Sequence, residues 1–286
     1  EAISYSYGRG EKVVIPAFAV ERTQEIIYSL YLLSKQGRLP PDMPVFVDSP
    51  LATKATEIFR NHPDYFDRET RKLLAAGEDP LSLPHLRFTT STQESMSINE
   101  LRGPAVVISA SGMADAGRIK HHLRHNLWRE GASIVFVGFQ AQGTTGRKIV
   151  DGAKVIRILN EDIAVKAKVY TINGFSAHAG RSQILAWVSA FRSPGMQVFL
   201  VHGEYSAQES LAADLRERFG FSVQIPDYLE EWTLGDGRVE GKAAVPKMID
   251  RFDWDRALAA VEDQLAYLRS QRKQLDSGTA AEKSLR

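Results

Sequence analysis

The sequence predicts an α/β protein built on a parallel sheet, and three observations carry that reading. Short apolar runs recur at Val13-Val14-Ile15-Pro16, Val45-Phe46-Val47-Asp48, Ala105-Val106-Val107-Ile108-Ser109 and Ser133-Ile134-Val135-Phe136-Val137-Gly138. Runs of this length and β-branched content suit strands buried on both faces. Stretches with helical spacing lie between them, and strand–helix–strand alternation gives parallel pairing. Late in the chain, Thr171-Ile172-Asn173-Gly174-Phe175-Ser176-Ala177-His178 and Val201-His202-Gly203-Glu204 each put a histidine just beyond a strand-like run. The carboxyl end of a strand is where open α/β sheets place ligands. A histidine there also serves as a plain hydrogen-bonding residue, and spacing alone does not separate the two.

Taken in order, residues 1–10 read as the end of a helix stopped near Gly8 and Gly10, because glycine tolerates the left-handed cap. Ile26, Ile27, Leu30 and Leu33 place a helix over 18–33, closed by Gly37 and Pro40-Pro41. Asp48-Ser49-Pro50 is a strand end passing into a helix with proline in its first turn. Asp48 and Ser49 could face a cleft or cap that helix, and capping is favoured for Asp48. Residues 61–100 are polar and helix-like only over 68–76. The turn Ser109-Ala110-Ser111-Gly112-Met113 leads into a helix over 117–128. Backbone amides at such a helix start, with glycine and small hydroxyl residues, can seat a phosphate.

That helix carries Arg118, Lys120, His121, His122, Arg124, His125 and Arg129. His121 and His125 share a face as a metal pair would, but no glutamate accompanies them in the His-Glu-x-x-His manner. A solvated basic face touching nucleic-acid backbone is the expectation. The loop over 140–146 is rich in Gly and Thr yet lacks the Gly-Lys-Ser/Thr ending of a nucleotide triphosphatase. From Lys154 the strands shorten, at 155–159 and 165–170, and a domain boundary is placed near residue 162. A helix over 183–191 and a strand at 197–201 complete a strand–His–helix–strand–His unit. Such a crossover would return its second strand parallel to the first, so both histidines would emerge at one sheet edge. A helix over 211–219, a strand at 223–225 and a linker after Gly235 and Gly237 follow. Trp254, Leu258, Val261, Leu265 and Leu268 then form a near-heptad stripe on a C-terminal helix. It would pack on the body of the protein or join a second copy in a homodimer.

Composition sets outer bounds. The 286 residues suffice for two modest domains with their own cores. A formal charge of +1, with 25% charged residues, does not by itself announce a nucleic-acid binder, although a local basic groove can hide in a balanced total. With no cysteine in the chain, disulfides and thiolate metal sites are excluded, so a metal would need His and carboxylate ligands. No apolar run reaches membrane-span length and no secretory pattern opens the chain. A cytoplasmic protein that avoids membranes is expected. The first residue is Glu, which suggests a piece of a longer polypeptide.

Ser176-Ala177-His178-Ala179 and Val201-His202-Gly203-Glu204 resemble the late motifs of the β-CASP family of metallo-β-lactamase-fold nucleases. That family includes the nuclease subunit of the cleavage and polyadenylation specificity factor. The likeness extends to Val14-Ile15-Pro16-Ala17-Phe18-Ala19-Val20-Glu21-Arg22-Thr23-Gln24-Glu25, Val47-Asp48-Ser49-Pro50-Leu51-Ala52, Ser109-Ala110-Ser111-Gly112-Met113 and Val137-Gly138-Phe139-Gln140-Ala141-Gln142-Gly143-Thr144, and covers residues 1–235. It implies an α/β architecture in which a parallel-sheet β-CASP domain (1–162) precedes the C-terminal part of a metallo-β-lactamase αββα domain (163–246) and a terminal helix (247–286).

It further implies a zinc-dependent ribonuclease of RNA processing or decay, in which two Zn²⁺ ions activate a water. The histidine at the last motif favours RNA over DNA, and an endonuclease is the closer match, with 5′–3′ exonuclease trimming as the other mode. By the same resemblance His178 is the general acid, His202 a zinc ligand, and Ser109, Ser111, Gly112 and Arg22 contact the substrate. Histidine suits acid–base work because its ordinary pKa lies near neutrality. The family's His-x-His-x-Asp-His cluster is absent from these 286 residues, and one imidazole cannot hold a catalytic zinc. The chain alone is therefore expected to be inactive. The competing expectation is a non-catalytic RNA-binding or scaffold relative, against which the intact His178 and His202 speak.

Overall fold

A computed structural model describes residues 1–175, 178–191, 196–227, 229–235 and 238–242. The apolar stripe from Trp254 to Leu268, and with it the homodimer expectation, lies outside the described residues. The chain divides into two compact units, Glu1–Ala179 and a second that begins at Gly180.

In the first unit the helix α1 (Ala2–Tyr7) precedes β1 (Val13–Pro16), α2 (Arg22–Lys35), β2 (Val45–Asp48) and α3 (Pro50–Asn61). Then come α4 (Arg68–Ala75), β3 (Leu86–Thr89), α5 (Thr92–Glu100), β4 (Val106–Ser109), α6 (Ile119–Asn126) and β5 (Ser133–Phe136). Helix α7 (Thr145–Val150), a hairpin of β6 (Val155–Ile158) and β7 (Glu161–Ala164), and β8 (Lys168–Thr171) complete it. Six strands form one sheet in the order β3-β2-β4-β1-β5-β8, parallel at every pairing. The four central strands are buried on both faces, as their unbroken apolar runs require.

Alternate residues sort onto two layers. Val13, Ile15, Val106 and Ile108 face a core closed by Ile26, Ile27 and Leu30 of α2. Val14, Ile134 and Phe136 face the opposite core, where Ile119 and Leu123 of α6, together with Leu127 just past it, recur every four residues and are fully buried. Each such side chain contributes about 1.5–3 kcal/mol by leaving water. The winding runs outward from β1 to β2 and β3, returns to β4, and then crosses to β5 on the other side of β1. The sheet therefore reverses direction around β1.

Strands β1, β2, β4 and β5 and helices α2, α4 and α6 fall where the sequence places them. Three features differ. Residues 61–100 also contain β3 and α5, the latter opened by a capping box between Ser91 and Glu94. The stretch 155–170 holds three strands, because Leu159 and Asn160, both at positive φ, turn β6 back on β7. Finally, β8 hydrogen-bonds in parallel to β5 and so belongs to the first sheet, which carries the first unit past residue 162 to Ala179.

The second unit contains α8 (Arg181–Val188), β9 (Gln197–Phe199), α9 (Tyr205–Phe219), β10 (Ser222–Gln224) and a hairpin of β11 (Glu231–Gly235) and β12 (Arg238–Lys242). The β9–β10 pair is parallel and separate from the large sheet. Leu185, Val188, Ala212, Leu215 and Val223 make its small core. Trp187 and Phe191 of the α8 segment meet edge-to-face while remaining largely exposed. Among the described residues, β8 pairs with β5 and β9 with β10. The strand at 223–225 appears as β10, and where a linker is expected after Gly235 and Gly237 the residues 238–242 form β12.

Candidate functional site

The carboxyl ends of four adjacent strands, β4, β1, β5 and β8, feed loops into one cleft of about 430 Å³. Pro16, Ala17 and Phe18 reach it from β1, and Arg22 from the first turn of α2. Gly112 and Met113 come from the turn after β4, and residues 137–140 from the loop after β5. His178, exposed beyond β8, completes the wall. This is the reversal point of a doubly wound sheet, where such folds bind ligands.

Gly112, Arg22 and His178 are therefore brought together. Arg22 is mostly buried, donates to Glu25 Oε2 at 2.8 Å and lies over the Phe175 ring at 5.9 Å. Gly112 is closely approached, since a Cβ there would sit 3.1 Å from the Phe18 ring and 3.2 Å from its backbone nitrogen. Buried Gln140 donates to Gly112 O at 3.1 Å and so braces the turn against the next loop. Ser111 turns its hydroxyl back toward Ala116 N at 3.5 Å. Ser109, expected to touch substrate, is fully buried and donates to Asp48 O at 2.9 Å. Its hydroxyl supports the turn from beneath, which corrects the contact role assigned to it.

Asp48 is also not the helix cap. Ser49 fills that role, accepting from Ala52 N at 3.2 Å. The Asp48 carboxylate points into the protein. Its Oδ1 accepts from Thr89 Oγ1 and Arg118 Nη1, both at 2.7 Å, and Oδ2 lies 2.6 Å from Ser95 Oγ and from His122 Nε2. Burial by itself would raise this carboxyl, but hydrogen bonds from His122, Ser95 and Thr89 outweigh it and hold the group well below the usual carboxylate range. The network grips both ends of the 109–118 turn, Ser109 at one and Arg118 at the other.

His121 and His125 lie on the exposed face of α6, and His122 between them is the imidazole that the helix turns inward. The burial period of the helix marks it, lying one residue before Leu123. The capping-box pattern at Ser91 and Glu94 would likewise have located Thr89 and Ser95. The α6 segment is less basic in effect than in sequence. Arg118 pairs with Asp48, Arg124 with Glu161 and Arg129 with Glu11. Burial, then the neighbouring Arg124, His122, Lys12 and Arg129, push the His125 imidazole below its ordinary range. The loop over 140–146 works as a connection, with Thr144 capping α7.

His202 lies in the second unit, exposed, three residues past β9 and three before α9. Gly203 beside it has φ of 132°, a region that favours glycine. No group of three or more His, Cys, Asp or Glu is placed to hold a metal among the described residues. A catalytic zinc takes about three protein ligands, so the donor set described here does not fit a complete zinc site. No helix among the described residues is long and apolar enough to cross a membrane.

The doubly wound parallel sheet carries at its reversal point a cleft lined mainly by apolar side chains, with Arg22 and His178 among them. The chain belongs to the β-CASP family. Residues 23–149 match the Beta-Casp domain, and residues 162–226 match the Zn-dependent metallo-hydrolase RNA specificity domain. The second match begins at the boundary read from the sequence, although β8 within it is built into the first unit's sheet. The chain is 39% identical over 204 residues to Ribonuclease TTHA0252 of Thermus thermophilus, covering 71% of this chain and 46% of that protein. It is 32% identical over 236 residues to Transcription termination factor FttA of Thermococcus kodakarensis, covering 80% of this chain and 36% of that protein. The FttA of Methanocaldococcus jannaschii gives 32% over 234 residues, with the same coverage. The chain spans less than half the length of these relatives.

Proposed function

We propose that this chain supplies the RNA-gripping part of a β-CASP ribonuclease, with His178 as the general acid. The observation that carries the reading is the convergence of His178, Arg22 and the Gly112 turn on one cleft at the sheet's reversal point. Arg22 would neutralise phosphoryl charge, the turn at Ser111 and Gly112 would seat the phosphate, and His178 would stand at the departing sugar oxygen. In hydrolysis a water oxygen bonds to phosphorus and gives up a proton to solvent, the bond from phosphorus to the leaving oxygen breaks, and an imidazolium proton passes to that oxygen. The relatives support this reading through their names, one of which is a ribonuclease.

Zinc enters only through the matched domain's description. His202 is the residue the family resemblance offers as a ligand, and alone it is too little for a catalytic metal. The competing reading is a non-catalytic RNA-binding relative, against which the retained His178 and His202 speak. Replacing His178 separates the two. In the metal-competent enzyme, His178→Ala should leave metal content intact and slow cleavage of a single-stranded oligoribonucleotide by about 10²- to 10⁴-fold. An unchanged rate refutes the acid role. A protein that binds RNA but shows no cleavage in any metal-loaded form supports the second reading.

A further inference from the structure

We propose that Phe18 and Phe139 form a stacking platform for unpaired bases in this cleft. The proposal rests on the RNA reading above and names which part of the RNA the cleft holds. A lone exposed phenylalanine needs no explanation. Here two stand on loops after the neighbouring strands β1 and β5, and both line the cleft that holds Arg22 and His178. Phe18 is 51% exposed and Phe139 66% exposed. Among the described residues, neither ring is paired with another aromatic ring.

Both rings are carried on fixed backbone. Thr23 donates to Phe18 O from its nitrogen at 3.2 Å and its hydroxyl at 2.7 Å, while Ala17 N donates to Ser109 O at 3.0 Å. Gln140 Nε2 donates to Phe139 O at 3.2 Å and to Gly112 O at 3.1 Å. One edge of the Phe18 ring rests against Gly112, where any larger residue would press into it. An aromatic face beside a cation is the recurring way proteins hold unpaired nucleotides, because every base has a π-face. Bases inside a duplex are stacked on each other and cannot reach such a platform.

Fluorescence anisotropy of the full chain tests this with a labelled single-stranded oligoribonucleotide, the same strand carrying abasic sites, and the same strand annealed to its complement. The abasic strand and the duplex should bind at least about 5-fold more weakly than the intact strand. Phe139→Leu and Phe18→Leu should each weaken the intact strand by about 5- to 100-fold and leave the abasic strand unchanged. Phe139 is the more exposed ring, so its variant holds the test should Phe18→Leu fail to fold. If the intact strand binds but abasic sites or the Phe139 variant change nothing, the platform is overturned while the RNA reading stands. If no RNA binds, the RNA reading falls and takes the platform with it.

Discussion

Replacing Asp48 with asparagine changes one atom and reverses the logic of a buried network. Each carboxylate oxygen has two polar partners, Thr89 and Arg118 at Oδ1 and Ser95 and His122 at Oδ2. An asparagine amide supplies one acceptor oxygen and one NH₂ group. Whichever way it turns, its hydrogens face either the Arg118 guanidinium, which cannot accept, or the Ser95–His122 pair. The negative charge opposite Arg118 is lost as well. Removing one member of a buried ion pair costs about 3–5 kcal/mol. Arg118 keeps 22% of its side chain exposed and can recruit water, so the lower end, about 3 kcal/mol, is expected. Against a typical stability of about 5–15 kcal/mol, that is a large share.

Urea unfolding at pH 7, followed by far-UV circular dichroism, measures the effect. With a slope of about 1–3 kcal/mol per molar, the midpoint of Asp48→Asn should fall by at least about 1 M. Asp162→Asn is the control: its partner Arg157 lies 3.7 Å away with both side chains two-thirds exposed, and pairs of that kind contribute little. An Asp48→Asn midpoint no lower than that of the control would show that the network does not hold the 109–118 turn in the way argued here.

Two further outcomes follow from the same region. The folded Asp48 carboxyl titrates below its unfolded value of about 3.9, so its contribution is complete above that pH and is lost as pH falls toward the folded value. An acid titration of stability should therefore be shallower below about pH 4 in Asp48→Asn than in the wild type, and parallel curves would contradict the shift. Gly117 has φ of 82°, and a Cβ there would stand 2.5 Å from Ala110 O. Gly117→Ala should lower stability by more than the roughly 1 kcal/mol that a left-handed backbone alone costs a non-glycine residue, and an unaltered thermal midpoint would show that the turn relaxes freely.

Local pattern in the chain was enough to mark the strands β1, β2, β4 and β5, the helices packed on them, and the motifs that carry the family resemblance. Those signals are readable because apolar period, glycine and proline act within a few residues of where they stand. Arg22 and the role of His178 came from the family resemblance and not from local pattern, and with Gly112 they line one cleft. What escaped was set by partners distant in sequence. Asp48 reads as a cap until Thr89, Ser95, Arg118 and His122 arrive from 41 to 74 residues away. Ser109 reads as a cleft residue until its hydroxyl is found on the Asp48 carbonyl. Strand β8 looks like the start of a new domain until it pairs with β5. The chain on its own decided which segments are strands and helices and which residues stand at their ends; pairing between distant segments decided which polar groups face the cleft and which are locked inside, because burial and hydrogen bonding belong to the assembled layers and not to any one stretch.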